Sequence, residues 1–345
     1  MRRAVLIYAV LLASALGGAY YTWTHEDGPD RGDEIVLLPG SPDDLESVVY
    51  ASNELELTIT MKEDELGRFA WVRAVPLGKG GSESEPDPTD PHAPPPDDGE
   101  PEEFKAGAAG NTVIEGLAPF SVKRVLEGIG EAELADLGLS EPEATLTIAR
   151  RGRGPKTYQL GGNVFGGSNV YVRDPETGKI YVADAKLIRP LQSGKRTLPD
   201  RNLIGYEIKQ IKTVTLRTPE ASAVFAQNNP DDPQAVYWSN AGETSANPSA
   251  AGWVDKVLRL RASKYVQSGS EPTKLEEVYS YAVQGNDRKS TTVTVYRTWG
   301  DDGEDQWYAR SEHTRGLVKL HRSLAAETAA DLASALEGAA PADGG

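Results

Sequence analysis

Gly138-Leu139-Ser140-Glu141-Pro142-Glu143-Ala144-Thr145-Leu146-Thr147-Ile148-Ala149 contains a helix stop followed by a strand, and its reading decides the fold. Gly138 suits the position just past the last turn of a helix, where a left-handed backbone costs glycine little. Pro142 forbids further helix and pushes Glu141 into extended backbone. From Ala144 onward apolar residues alternate with threonines, which puts the apolar set on one face of a strand. Arg150 to Pro155 then reads as a turn, and Thr157-Tyr158-Gln159-Leu160 as its return strand.

The pattern extends in both directions. Downstream, Val170-Tyr171-Val172-Arg173 and Lys179-Ile180-Tyr181-Val182 form a second hairpin whose turn, Asp174 to Gly178, carries Pro175 and Gly178. Lys186 to Leu191 closes the unit as a short helix. Upstream, Val122, Val125, Leu126 and Ile129 recur at three- and four-residue steps, which predicts an amphipathic helix over 118–137 with Pro119 in its first turn. Earlier still, Val48-Val49-Tyr50, Leu55 to Ile59 and Phe69-Ala70-Trp71-Val72 read as strands, with turns at Ser52-Asn53 and Asp64 to Gly67. A helix packed on an antiparallel sheet, an α+β unit, is the expected result.

The order of features then begins again. Leu198-Pro199-Asp200-Arg201-Asn202-Leu203 leads into Ile211 to Leu216, and the strand Val214 to Leu216 answers Leu55 to Ile59. Ala235-Val236-Tyr237-Trp238 answers the strand of Trp71. Asn247-Pro248 is a helix start, an N-cap followed by proline at the first position. Thr291 to Tyr296, Gln306 to Arg310, Gly316 to Leu320 and the helix Leu324 to Leu336 complete the second series. Tyr171 and Tyr308, like Leu187 and Leu324, are about 137 residues apart. The expected organisation is therefore an anchor over 1–24 and a spacer over 25–44. A first unit follows over 45–205, a divergent second unit over 206–338 and a disordered tail over 339–345. A proline-rich acidic insertion over 78–110, too poor in apolar surface to order itself, interrupts the first unit.

Net charge of -16 disfavours nucleic acid and anionic membrane surfaces as partners, and the absence of Cys excludes disulfides and thiolate chemistry. Arg2 and Arg3 precede about 20 uncharged, mostly apolar residues from Ala4 to Trp23, long enough to span a bilayer. Aromatic Tyr20, Tyr21 and Trp23 at the far end, then acidic residues, orient such a helix with its N-terminus inside. Ala13-Ser14-Ala15 offers a competing cleavage site. Either way the body is exported; the expectation adopted is a single-pass inner-membrane protein with an extracytoplasmic bulk.

Gly138-Leu139-Ser140-Glu141-Pro142, Asn169-Val170-Tyr171-Val172-Arg173 and the Leu198-Pro199-Asp200-Arg201 step together resemble the bacterial family called domain of unknown function 4340, over about residues 45–205. The resemblance implies an N-terminal membrane helix and an accessory role beside ABC transporters of the gliding-motility type. It implies no catalytic residues.

No chemistry-bearing constellation emerges, and the expected site is empty: no catalytic, cofactor-binding or metal-ligating residue, hence no cofactor. His25, His92, His313 and His321 lack zinc-ligand spacing and read as surface residues. Gly161-Gly162-Asn163-Val164-Phe165-Gly166-Gly167 precedes a strand rather than a helix, so it reads as a hairpin loop, not a phosphate cradle. Asp231-Asp232 and Asp301-Asp302-Gly303-Glu304-Asp305 lack the alternating ligands of a calcium loop. Asp200-Arg201 reads either as a buried ion pair joining the units or as a capped turn. The expected function is a non-enzymatic interaction module for an inner-membrane complex, with ABC-transporter subunits as partners. The alternative is binding of an envelope glycan, lipid or peptide in the groove between the units.

Overall fold

A computed structural model of the chain describes residues 34–77, 100–232, 234–300 and 303–337. The anticipated membrane anchor, the first two-thirds of the acidic insertion (78–99) and the tail lie outside these residues. No helix among the described residues is long and apolar enough to cross a membrane.

The first part contains β1 (Ile35–Leu38), β2 (Leu45–Ser52), β3 (Leu55–Asp64), β4 (Gly67–Pro76), β5 (Glu102–Lys105), α1 (Ala108–Gly116), β6 (Phe120–Val122), β7 (Arg124–Leu126), α2 (Glu131–Asp136), β8 (Ala144–Arg150), β9 (Arg153–Asn163), β10 (Asn169–Arg173), β11 (Ile180–Asp184) and α3 (Arg189–Ser193). The second contains β12 (Ile211–Arg217), β13 (Ser222–Asn228), β14 (Tyr237–Asn240), α4 (Pro248–Arg259), β15 (Ala262–Tyr265), β16 (Glu276–Gly285), β17 (Ser290–Trp299), β18 (Asp305–Ser311), β19 (Leu317–Leu320), α5 (Arg322–Ala330) and α6 (Leu332–Leu336). A nine-stranded sheet runs β5-β4-β3-β2-β8-β9-β10-β11-β7, and an eight-stranded sheet runs β14-β13-β12-β16-β17-β18-β19-β15. All the registered strand pairs are antiparallel, and the class is α+β.

Alternation sets the cores. Val48, Tyr50, Leu57, Ile59, Val72, Leu146 and Ile148 are buried on the inner face of the first sheet and share a core with Val113 of α1 and Leu191 of α3. In the second sheet Trp253 of α4 meets Phe225, Tyr279 and Tyr281 at ring-centroid distances near 6 Å. Its indole N–H donates to the Thr328 carbonyl at 3.2 Å, and the Tyr279 hydroxyl shares a 2.8 Å hydrogen bond with the Thr328 hydroxyl. These bonds satisfy polar atoms that burial would otherwise penalise. As its sequence suggests, α4 starts at Asn247, whose side chain accepts from the Ala250 N–H at 3.0 Å.

Three expectations fail. The amphipathic helix over 118–137 does not form. Phe120–Val122 and Arg124–Leu126 are strands, and only Glu131–Asp136 is helical. Val125 and Leu126 pair with Tyr181 and Ile180 to extend the first sheet by one strand, so sheet pairing overrides the helical spacing. Gly128 and Gly130 within this stretch weaken its helix propensity. The insertion also ends sooner than expected: Glu102–Lys105 pairs with β4 as an edge strand, and α1 begins at Ala108. In the spacer, Ile35 and Val36 pair with Val122 and Ser121. Arg150, expected in a turn, is instead the buried end of β8 and donates to the carbonyls of Leu38, Pro39 and Leu117.

The helix stop at Gly138 is as expected. Gly138 has φ +67°; its N–H reaches the Ala135 carbonyl at 3.0 Å, and the Leu139 N–H reaches Leu134 at 2.8 Å. That double bond is the Schellman arrangement. A Cβ at Gly138 would also sit 2.9 Å from the Gly162 nitrogen. Gly138→Ala is therefore expected to destabilise the protein by at least about 1–2 kcal/mol, read as a lowered urea midpoint. An unchanged midpoint would contradict this account of the turn.

Candidate functional site

The Leu198–Leu203 connector lies extended between the two sheets. On one side the Gly107 N–H donates to the Leu198 carbonyl and the Asp200 N–H to the Lys105 carbonyl, both at 2.8 Å. On the other, the Ala262 N–H donates to the Arg201 carbonyl at 2.8 Å, while the Arg201 guanidinium donates to the carbonyls of Ala262 and Ser263. The connector therefore carries the hydrogen bonding of β5 across to β15. The Arg201 guanidinium is spent on the second sheet's carbonyls, while the Asp200 carboxylate meets Lys105 of the first part and His313 of the second.

The Asp200 carboxylate gathers the junction. Its Oδ2 accepts from Lys105 Nζ at 2.7 Å and from His313 Nε2 at 2.8 Å. Its Oδ1 accepts from the Asn202 backbone and side chain, each at 3.1 Å. Lys105 Nζ also lies 3.2 Å from His313 Nε2, so the three groups form one cluster. Burial alone would raise the Asp200 carboxyl. The bonds and charges of His313 and Lys105 outweigh it and hold the group well below the usual carboxylate range. His313 is thus no surface histidine; its side chain is only 19% exposed. Sequence reasoning missed Lys105 and His313 because they stand 95 and 113 residues from Asp200.

Further ties cross the junction. Glu102 lies 3.6 Å from Lys195 of the first part and 3.5 Å from Lys264 of the second. Asp64 accepts from Arg315 at 2.7 Å, and the Gln267 amide exchanges two hydrogen bonds with the backbone of Glu103. Tyr265, buried against Trp71 and Phe104, donates its hydroxyl to the Asp200 carbonyl at 2.8 Å.

Beside this seam opens a groove of about 840 Å³. Trp71, Arg73 and Glu103 line it from the first sheet, and Thr292, Thr294, Arg310 and Glu312 from the second. Its size is that of a ligand pocket, and its walls are held by the pinned connector.

The other sequence candidates come together nowhere. Gly161–Gly167 forms the end of β9 and the tip of the β9–β10 hairpin, with Phe165 fully exposed. Asp232 accepts from the Gln234 N–H, as a turn aspartate does. His25, His92, Asp301 and Asp302 lie outside the described residues, and His321 precedes α5 without capping it. Among the described residues no group of three or more His, Asp or Glu side chains is placed to hold a metal.

Residues 107–278 match the domain of unknown function family (DUF4340). Over that stretch the chain belongs to this family. The match runs from α1 through the connector, with Asp200 and Arg201, to the start of β16. It begins later and ends later than the resemblance over 45–205 had suggested, leaving β1 to β5 outside and taking in half of the second sheet. No curated protein and no solved structure matches the chain.

Asp200→Asn is expected to cost on the order of 3 kcal/mol, because it leaves Lys105 and His313 without their shared anion. The depressed carboxyl contributes stability in full above its unfolded value near about 4 and loses it as pH falls below that. Urea midpoints measured from neutral pH to about pH 2 should therefore fall more steeply for the wild type than for the variant. Parallel curves would refute the role given to this carboxylate.

Proposed function

We propose that the protein is a non-enzymatic interaction module, anchored in the inner membrane by residues 4–23, with its body on the extracytoplasmic side. The groove between the sheets is its recognition surface. The observation that carries this reading is the pinned junction: a network of buried and half-buried polar groups, costly to assemble, is committed to fixing two sheets around one open groove. The uncharged leader, Arg2 and Arg3 before it and the acidic residues after it support the topology. The resemblance to the family implies an accessory role beside a membrane transport or envelope complex of the ABC type.

The reading includes a duplication. Taken in order, β4-β3-β2-β8-β9-β10-β11-β7 and β14-β13-β12-β16-β17-β18-β19-β15 run through corresponding chain positions, with α1 and α4 each coming after the first three aligned strands, although β5 intervenes before α1. This alignment favours β12 as the counterpart of β2 rather than of β3, and β17 as that of β9. Two copies placed side by side create a junction that a single copy lacks, which is how the groove arises.

A second reading, binding of an envelope glycan, lipid or peptide, is favoured by the groove's pocket-like volume and the Trp71 ring on its wall. Full-length protein extracted in mild detergent should co-purify with transporter subunits, and Arg310→Glu should lose them. Recovery of no membrane partner by the wild type would contradict the interaction-module reading.

A further inference from the structure

We infer that the groove takes an uncharged, polyhydroxylated chain, a neutral glycan strand, lying across Thr292 and Thr294 and against Trp71. The inference rests on the second reading above and specifies its ligand.

The first argument is charge. The groove is lined by Arg73, Arg310 and Arg315 and by Glu103, Glu271 and Glu312, so its signs cancel although the whole chain carries -16. Each cation has a local acid: Arg73 lies 3.8 Å from Glu103, Arg310 3.5 Å from Glu271, and Arg315 2.7 Å from Asp64. A site for an acidic or basic polymer concentrates one sign to steer its ligand. This one does the reverse, and so favours a partner without charge.

The second argument is hydrogen bonding. On β17, Val293 and Val295 are buried, which turns Thr292 and Thr294 to the opposite face and into the groove. Among the described residues no hydrogen bond engages either threonine hydroxyl. Arg73 and Arg310 are more than half exposed and loosely held at those distances, so each can turn its fork toward vicinal hydroxyls. The groove thus presents paired donors and acceptors without net charge.

The third is the ring. Trp71 is only partly buried and is braced edge-on by Phe69 and Tyr265, each 6.3 Å away. Its indole N–H is already committed to Glu103 at 3.0 Å. Lys62 Nζ lies over the ring, 5.0 Å from its centroid, so what a ligand meets is the apolar ring surface that this ammonium leaves open, which suits the C–H face of a sugar. An aromatic ring beside planar polar side chains and hydroxyls offers what a pyranose needs, an apolar face met together with its equatorial hydroxyls.

Calorimetric titration of the full chain in detergent micelles with chitohexaose and with cellohexaose tests this, with an acidic hexagalacturonate as control. At least one neutral sugar should bind saturably and the acidic one more weakly. The double variant Thr292→Val/Thr294→Val keeps shape and strand preference but removes two hydroxyls, and should weaken binding by about tenfold. Trp71→Ala should weaken it at least as much, while Asp232→Ala, outside the groove lining, should not change it. Absence of saturable binding by both neutral sugars, tighter binding of the acidic one, or insensitivity to the threonine variants would overturn the inference. Loss of co-purifying membrane subunits in the threonine variant without sugar binding would also overturn it, yet leave the interaction module standing. Sugar binding without any membrane partner would uphold the glycan and reject that module.

Discussion

One carboxylate oxygen and the two side-chain nitrogens that meet it hold this molecule together across its middle. Lys105 from the first sheet and His313 from the second both donate to Oδ2 of Asp200, which sits on the connector between them. Each group would be costly to leave alone in a half-buried place, so the three are stable only when both sheets are docked. The polar network therefore specifies one arrangement of the sheets more than it adds raw stability.

The rest of the architecture follows from that docking. Because the connector is hydrogen-bonded on one flank to Lys105 and Gly107 and on the other to Ala262, it acts as a short extended bridge between two sheet edges. Edges left bare would invite pairing with other chains. Here the Gln267 amide covers the backbone of Glu103, and Tyr265 fills the gap beneath Trp71. The groove lies beside this seam, lined by residues of both sheets. Preformed walls spare a ligand the cost of ordering them.

Much of the fold was legible in the sequence because its strands alternate cleanly and its stops are chemically explicit. Gly138 with Pro142 and Asn247 with Pro248 each end or begin a helix where their backbone chemistry dictates. The region 118–137 misled because Val122, Val125 and Leu126 satisfy helical spacing while also serving two short strands, and only the pairing of Val125 with Tyr181 decides between them. Helix α1 was hidden in the tail of an acidic, proline-rich stretch, where Val113 and Ile114 are its main buried anchors. The site was less legible. Asp200 stood out, but its partners come from distant segments with no local pattern, and Thr292 and Thr294 look like any strand threonines until they are seen to line the same groove as Trp71.

Native-state hydrogen exchange tests the docking most directly. If the junction is a cooperative part of the fold, the amides of Gly107, Asp200 and Ala262 should exchange as slowly as those of the core strand residues Val48 and Val214. Exchange at these three amides at rates typical of exposed hairpin tips, with the cores still protected, would show two sheets that part freely and would contradict the account.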